Sequence, residues 1–248
     1  MRVYGLIGHP LVHSFSPTYF LEKFEREGIT DAAYRNFPLK DVNGLHELLD
    51  KQRGIVGLNV TIPHKETVVP LLDTLDPIAE KIGSVNTIVV ERNGSSYQTK
   101  GYNTDALGFR ESLRPFLKGW HHKALILGTG GSSKAVNYVL KEIGLETLFV
   151  SRTPSGNNQV SYDDLNEEAI RQFKLIVNTT PLGLYPKVNF LPDIPYRHLS
   201  DEHLLYDLIY NPSQTEFLRL GRAYNAVVCN GSKMLDMQAE GSWAIWNQ

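Results

Sequence analysis

Apolar and polar positions along this chain switch repeatedly between a spacing of two and a spacing near 3.6, which predicts strands and helices in alternation. Residues 3–7 form an apolar strand that runs into Gly8, and residues 17–27 carry a helical pattern closed by Gly28. A strand over 32–37 and a short helix over 45–51 follow. Val56, Leu58, Val60 and Ile62 then alternate with Gly57, Asn59 and Thr61, the pattern of a strand with one apolar face. Pro63 cannot donate to a continuing ladder, so this strand is expected to stop there. Segments 85–91 and 96–99 flank Asn93-Gly94, a strong short-range hairpin signal. Beyond Asn103 a helix is predicted from the stripe Ala106, Phe109, Leu113, Phe116 and Leu117, ended by Gly119. A second series begins with a strand over 123–127 and a glycine turn, followed by one helix face (Ala135, Val136, Val139, Leu140, Ile143). Strands over 147–150, 175–178 and 204–209 and a closing helix over 233–246 complete it.

This order identifies an α/β protein with largely parallel sheets. Two domains are expected, an N-terminal mixed α/β sheet domain with an antiparallel corner and a Rossmann-type dinucleotide-binding domain, with a cleft between them. The first is assigned residues 1–104 plus 233–248 and the second residues 105–232, the change falling within the helix after Asp105. Composition adds exclusions. With 248 residues and a formal net charge of −2, the chain has no general electrostatic attraction for nucleic acid or an anionic membrane. No apolar run reaches the roughly 20 residues needed to span a bilayer, and the first strand is too short for a signal-peptide core, so a cytoplasmic protein is expected. The single cysteine, Cys229, excludes an internal disulfide and lies in an apolar run, as a buried structural thiol would. The eight histidines show no metal-ligand spacing, so no metal site is expected.

Candidate chemistry gathers at strand ends. Lys65 follows the strand that ends at Pro63, where open α/β sheets place their ligands, and Asn59 and Thr61 point off that strand's polar face. Two neutral hydrogen-bonding groups beside an amine suit a small polyhydroxylated acid or its ketone; the alternative is a solvated face with a surface lysine. Gly128, Thr129, Gly130, Gly131 and Ser132 sit between a strand and a helix, the context in which backbone N–H groups meet a pyrophosphate, although Ser133 occupies the third glycine position. About twenty residues past the turn an NAD site would place an acid on the ribose 2′-hydroxyl. Here the chain has Ser151, Arg152 and Thr153, which suit a 2′-phosphate, so NADP is the expected cofactor. Asp105 reads in three ways: a first-turn acid favourable to its helix, a surface carboxylate, or a partner of Lys65. Ser14 and Ser16 share one side of an extended segment, Ser16 before Pro17 also suiting a helix cap, and Asn86 lies at the start of a strand.

In order, these motifs resemble the shikimate dehydrogenase family nearly from end to end. Gly8-His9-Pro10-Leu11-Val12-His13-Ser14-Phe15-Ser16-Pro17 is similar to the family's opening substrate loop, and Asn59-Val60-Thr61-Ile62-Pro63-His64-Lys65 to its most specific motif. Ser84-Val85-Asn86-Thr87 and Asn103-Thr104-Asp105 follow in the expected order, then the glycine turn, Ser151-Arg152-Thr153 and Asn178-Thr179-Thr180-Pro181-Leu182-Gly183. Tyr206-Asp207-Leu208-Ile209-Tyr210 and Asn230-Gly231 with Gln238 complete the set. The resemblance implies that Ser14, Ser16, Asn59, Thr61, Lys65, Asn86, Asp105, Tyr210 and Gln238 contact the substrate. It implies Lys65 and Asp105 as the catalytic pair, meeting in a shared crevice, and adds Thr179, Leu208 and Gly231 to the cofactor contacts.

In the family, 3-dehydroshikimate is reduced to shikimate with NADPH, a step of chorismate and aromatic amino-acid biosynthesis. Hydride arriving at a carbonyl leaves negative charge on oxygen, and a cation that can also donate a proton lowers that barrier most. The expected partner is therefore a small molecule, and the expected assembly a monomer or homodimer. Two departures stand out. After Thr153 relatives usually run into a helix that often carries another base; here Pro154-Ser155-Gly156-Asn157-Asn158 forms a short loop. Lys233 stands where glycine is common, and either crowds the nicotinamide or turns to solvent. The nearest alternative is a quinate/shikimate dehydrogenase using NAD. A catalytically silent metabolite-binding regulator is disfavoured because Lys65 and Asp105 are both present.

Overall fold

Strand-forming and helix-forming segments sort into two compact units, Met1–Thr104 with Ala239–Gln248, and Asp105–Gln238. The computed structural model describes residues 1–12 and 14–248; His13 of the opening motif lies outside them.

The first unit contains β1 (Arg2–Gly8), α1 (Ser16–Glu27), β2 (Ala32–Pro38), α2 (Leu45–Lys51) and β3 (Ile55–Val60). Then come β4 (Thr74–Leu75), α3 (Pro77–Ile82), β5 (Thr87–Asn93) and β6 (Ser96–Tyr102). Its sheet has the order β2-β1-β3-β5-β6-β4, with β1 parallel to β2 and β3, and β5 antiparallel to β3 and β6. The Asn93-Gly94 hairpin makes the antiparallel corner. Leu45, Leu49, Leu58, Val60 and Ile88 fill the core on one face. Aromatic rings fill the other: Phe20 stacks on Tyr34 at 4.4 Å, and Tyr4 packs against Trp243 and Trp246 at 5.3 and 4.8 Å.

That second layer corrects the reading of β3. The strand ends at Val60, two residues earlier than expected, and its polar face is not solvated. Gly57 and Asn59 on that face are buried, and Thr61 just beyond the strand is half-buried. A Cβ on Gly57 would lie 2.4 Å from the Trp246 ring nitrogen, so the closing helix presses directly on the strand's backbone. Alternation along β3 therefore marks two kinds of buried face rather than an inside and an outside.

The second unit starts with the body of α4 (Thr104–Leu113) and continues with β7 (Lys123–Leu127), α5 (Gly131–Glu142), β8 (Glu146–Val150) and β9 (Gln159–Val160). It closes with α6 (Glu167–Gln172), β10 (Leu175–Asn178), β11 (Leu204–Asp207), α7 (Glu216–Ala223), β12 (Val227–Cys229) and α8 (Ser232–Trp246), whose last residues belong to the first unit. The sheet is parallel throughout, in the order β12-β11-β10-β7-β8-β9. Strand order reverses between β7 and β10, the topological switch point of a doubly wound fold. Pro115 cannot continue the α-helical ladder, so α4 gives way to a tight turn over Arg114–Phe116 instead of running to Leu117.

The first compact unit resumes at Ala239, within the closing helix. Within the second unit, α4 and the start of α8 touch closely: a Cβ on Gly108 would lie 2.6 Å from the Met234 carbonyl oxygen. Short strands β4, β9 and β12 escaped the periodicity because two or three residues carry no readable pattern. No helix of the described residues is long and apolar enough to cross a membrane.

Candidate active site

β1 and β3 are parallel and in register at Ile7 and Val60, so the segments after them leave from one edge of the first sheet. Thr61, half-buried, donates its N–H to Ile7 (2.9 Å), and its carbonyl accepts from His64 (2.9 Å). This turn sets Lys65, also half-buried, with its carbonyl accepting from Val85 N–H at 2.7 Å.

Asn59 and Asn86 sit beneath that edge in one buried polar network. Asn59 is 5% exposed; its amide donates to the Asn86 carbonyl (3.2 Å), Thr87 Oγ1 (3.3 Å) and Ser242 Oγ (2.9 Å), while its Oδ1 accepts from the Tyr34 hydroxyl (2.8 Å). Asn86 donates to Thr104 Oγ1 (2.9 Å) and accepts the Thr104 backbone N–H (2.7 Å), which fixes the first residue of α4. Thr87 and Thr104 each lie within hydrogen-bond distance of Ser242 Oγ, at 2.8 and 3.2 Å. Burial raises the Tyr34 phenol far above its ordinary range, opposed by a hydrogen bond with Ser16. Ser16, Tyr34, Asn59 and Asn86 are thus linked in sequence.

Ser16 is not the helix cap that its place before Pro17 suggested. It is the first residue of α1, Phe15 stands at the cap without a side-chain bond, and the hydroxyl turns to Tyr34. Ser14 donates to the Leu11 carbonyl (2.9 Å) and accepts from Asn36 Nδ2 (3.0 Å). Asp105 follows Thr104 directly, 4% exposed in the first turn of α4, where a carboxylate favours the helix dipole.

In the second unit every cofactor candidate lies at the carboxyl edge of the sheet. The glycine turn follows β7, and Gly128 takes φ +104, a conformation closed to most side chains. Thr179, after β10, donates both its N–H (3.0 Å) and its hydroxyl (2.6 Å) to Leu127 O, so turn and threonine meet at the switch point. Gly130 caps α5, and a Cβ placed on it would meet nothing within 4 Å. No side chain caps that helix, and its first turn holds no acid. Ser132 is half-buried on that turn. Ser133 fills the third glycine position by turning its hydroxyl back to Gly130 O at 2.6 Å. A glycine turn leading into a helix start that no side chain caps fits a dinucleotide diphosphate.

After β8, half-buried Ser151 accepts from Thr153 N–H (3.2 Å), and Arg152 and Thr153 are exposed. No carboxylate occupies this strand end, so the donor set fits a 2′-phosphate. Leu208 N–H donates to Asn178 O (3.0 Å), and Gly231 packs on it so tightly that a Cβ would lie 2.1 Å from Leu208 O. Tyr210 and Gln238 are half-buried, the latter donating to Leu235 O at 3.0 Å. Lys233 is exposed and borders a cavity of about 660 Å³ lined also by Phe116, Arg222 and Cys229, a lining that includes none of the cofactor candidates. Burial pushes the half-buried Cys229 thiol up to about 11, which makes it a poor nucleophile.

Known proteins supply the last observation. Residues 6–88 match the profile described as the shikimate dehydrogenase substrate binding domain. The shikimate dehydrogenase (NADP(+)) of Clostridium beijerinckii is 37% identical over 257 residues, 100% of this chain and 93% of that protein. That of Methanosphaera stadtmanae is 34% identical over 259 residues, covering 98% and 90%. This chain belongs to the shikimate dehydrogenase family. Its fold agrees: the solved shikimate 5-dehydrogenase of Thermus thermophilus in complex with NADP(H) and shikimate superposes with a TM-score of 0.85 at 32% identity, over 99% of this chain and 93% of that one.

Within the family frame, sequence reading missed Tyr34, Thr87, Thr104 and Ser242. Thr87 and Thr104 lay inside quoted motifs but were given no place among the site residues. Ser242 left one signal: it stands four residues after Gln238, on the same face of α8.

Proposed function

We propose that this chain is an NADP-dependent shikimate dehydrogenase, reversibly reducing 3-dehydroshikimate to shikimate within chorismate and aromatic amino-acid biosynthesis. Similarity to proteins named shikimate dehydrogenase (NADP(+)) over almost the full length of both chains carries the reading. In this reading residues 1–104, with the end of α8, form the substrate-binding and catalytic domain, and the parallel-sheet unit binds NADP. The enzyme acts in the cytoplasm on a small molecule, as a monomer or homodimer.

Bound NADPH supplies the hydride that adds to the substrate carbonyl. Lys65 donates a proton to the developing alkoxide and stabilises its charge before transfer, the role that a flexible ammonium at a strand mouth fits. Asp105 orients that ammonium and accepts from a neighbouring substrate hydroxyl. Ser14, Ser16, Thr61, Asn86, Tyr210 and Gln238 read the remaining hydroxyls and the carboxylate. Asn59 contributes chiefly by holding Asn86 and Tyr34, since its donors are already engaged. Gly128, Thr129, Gly130, Gly131 and Ser132 hold the diphosphate; Ser151, Arg152 and Thr153 hold the 2′-phosphate; Thr179, Leu208 and Gly231 flank the nicotinamide half.

One observation favours a second reading, a quinate/shikimate dehydrogenase using NAD. Residues 154–158 form a loop leading into edge strand β9, with no helix and no second base near Arg152 in sequence. Absorbance assays of purified protein with shikimate or quinate and NADP⁺ or NAD⁺ separate the two. Shikimate with NADP⁺ is expected to give the highest kcat/KM; quinate with NAD⁺ as the best pair would reverse the assignment.

A further inference from the structure

We propose that Asp207 is a positioning residue for the cofactor side of the site, holding the loops after β10 and β11 in register through Thr215 and Asn178. The inference rests on the reading of the parallel-sheet unit as the NADP-binding domain. Asp207 is the last residue of β11 and is fully buried. Its Oδ2 accepts from the Thr215 hydroxyl at 2.6 Å, and its Oδ1 accepts from Ile209 N–H and Asn178 Nδ2, both at 3.0 Å. The Ile209 bond turns the chain at Leu208, so the carboxylate shapes the segment that carries Leu208 and Tyr210.

Asn178 passes the constraint to the neighbouring strand end. Its Oδ1 accepts from Thr180 N–H (3.0 Å) and the Thr180 hydroxyl (2.7 Å), so the residues on both sides of Thr179 are fixed. Thr215 caps α7 by accepting from Leu218 N–H at 3.4 Å, which anchors the third point of the brace to a helix. A second link, Tyr185 N–H to Asn211 O at 3.2 Å, joins the same two loops farther out.

No cation faces this carboxylate among the described residues; its partners are all neutral. Burial raises its pKa to about 6, opposed by Thr215, Ile209 and Asn178. A buried acid without a counter-charge is a costly way to hold two loops. What it supplies that an amide does not is acceptance on both oxygens from three donors converging from three elements.

The test uses the full chain and reads NADP⁺ binding by calorimetry, shikimate binding by tryptophan fluorescence, and steady-state kinetics. Thr215→Val keeps the side chain's shape but removes the shortest bond of the brace, and Thr215→Ser restores it. The Thr215→Val variant is expected to weaken NADP⁺ binding about tenfold and lower kcat, the loss typical of one hydrogen bond to a charged group. Shikimate affinity should stay within about twofold by the same scale, and Thr215→Ser should bind NADP⁺ like the parent. Asp207→Asn should show the same selectivity or fail to fold; the Thr215 pair decides the matter in either case. Equal losses for both ligands, or unchanged NADP⁺ binding in Thr215→Val, would overturn the proposal. A parent that binds NADP⁺ without turning over shikimate would defeat the proposed activity while the calorimetric comparison still decides the brace. A parent that binds no NADP⁺ defeats both.

Discussion

The two units set their candidate residues at the same place, the carboxyl ends of parallel strands, yet offer different chemistry there. At the end of β3 the groups are side chains, and the amides behind them are locked by Tyr34, Thr87, Thr104 and Ser242. At the end of β7 they are backbone N–H groups of a glycine turn and of a helix start that no side chain caps. A side-chain site reads the pattern of hydroxyls on a small substrate and loses that reading when one partner is removed. A backbone site reads a diphosphate and tolerates a changed residue wherever the conformation survives, as Ser133 shows by bonding back to Gly130. Substrate choice should therefore be fragile to point changes in the first unit, while the cofactor turn should be robust.

The strongest test of that contrast is Lys65→Ala. Removing the proposed proton donor should lower kcat about 10²–10⁴-fold, the usual span for a lost general acid. Shikimate affinity measured by fluorescence should change far less. Turnover surviving in this variant would leave the first unit without its assigned chemistry. Arg152→Ala comes next, because the one cofactor contact that depends on a side-chain charge should behave like the side-chain site. Its kcat/KM with NADP⁺ is expected to fall about 10–100-fold, while kcat/KM with NAD⁺ stays nearly constant. Equal losses with both cofactors would remove Arg152 from the 2′-phosphate site.

How much of this was legible follows from the same contrast. The doubly wound unit announced itself because buried parallel strands, a glycine turn and an amphipathic helix are local patterns, each contained in a few neighbouring residues. Even the absence of an acid after β8 could be read directly from Ser151-Arg152-Thr153. The first unit was harder. For Asn59 and Thr61 a ligand-reading face and a solvated face both stayed open, because nothing near residue 59 says that Trp246 and Ser242 return from the end of the chain to cover Gly57 and Asn59. Ser16 looked like a cap because local chemistry allowed it, and Tyr34, eighteen residues away, is what draws its hydroxyl elsewhere. The family resemblance named candidate residues but not the buried groups hydrogen-bonded behind them. Local signals reveal backbone sites; long-range burial decides side-chain sites.

Ser242 offers a third, smaller test. Ser242→Ala leaves Asn59, Thr87 and Thr104 short of one shared partner at the centre of the network. The cost should be about 1–2 kcal/mol of stability, the range for a buried group deprived of its partner. The KM for shikimate should rise severalfold because Asn86 and Thr104 share the loosened network, while NADP⁺ binding should not move. A matching rise in the KM for NADP⁺ would mean that the network supports the whole fold rather than the substrate side.

The smallest expected effect concerns charge, where the units differ again. In the second, the buried carboxylate Asp207 has only neutral partners; in the first, the buried ammonium of Lys23 has two carboxylates, Glu27 at 2.7 Å and Glu240 at 2.8 Å. Burial would raise Glu240, but hydrogen bonds from Lys23 and Tyr19 outweigh it and hold the group below its ordinary 4.5. A carboxyl depressed in the fold stabilises it above the ordinary value and loses that contribution as pH falls through the folded value. For Lys23, burial is outweighed by Glu240 and Glu27, so its pKa is raised and its contribution persists at neutral pH, to be lost only in strong alkali. Asp207 has the opposite sign from Glu240: raised above its ordinary 3.8, it weakens the fold as pH climbs toward about 6. Glu240→Gln leaves Lys23 its bond to Glu27, and Glu240 is half exposed, so the neutral-pH loss should stay below about 1 kcal/mol. Urea unfolding from neutral to acid pH should show that small gap closing as pH falls below about 4.5, where the parent carboxyl also becomes neutral. A gap that stayed constant into acid would mean that shape, not charge, is what Glu240 brings to the first unit.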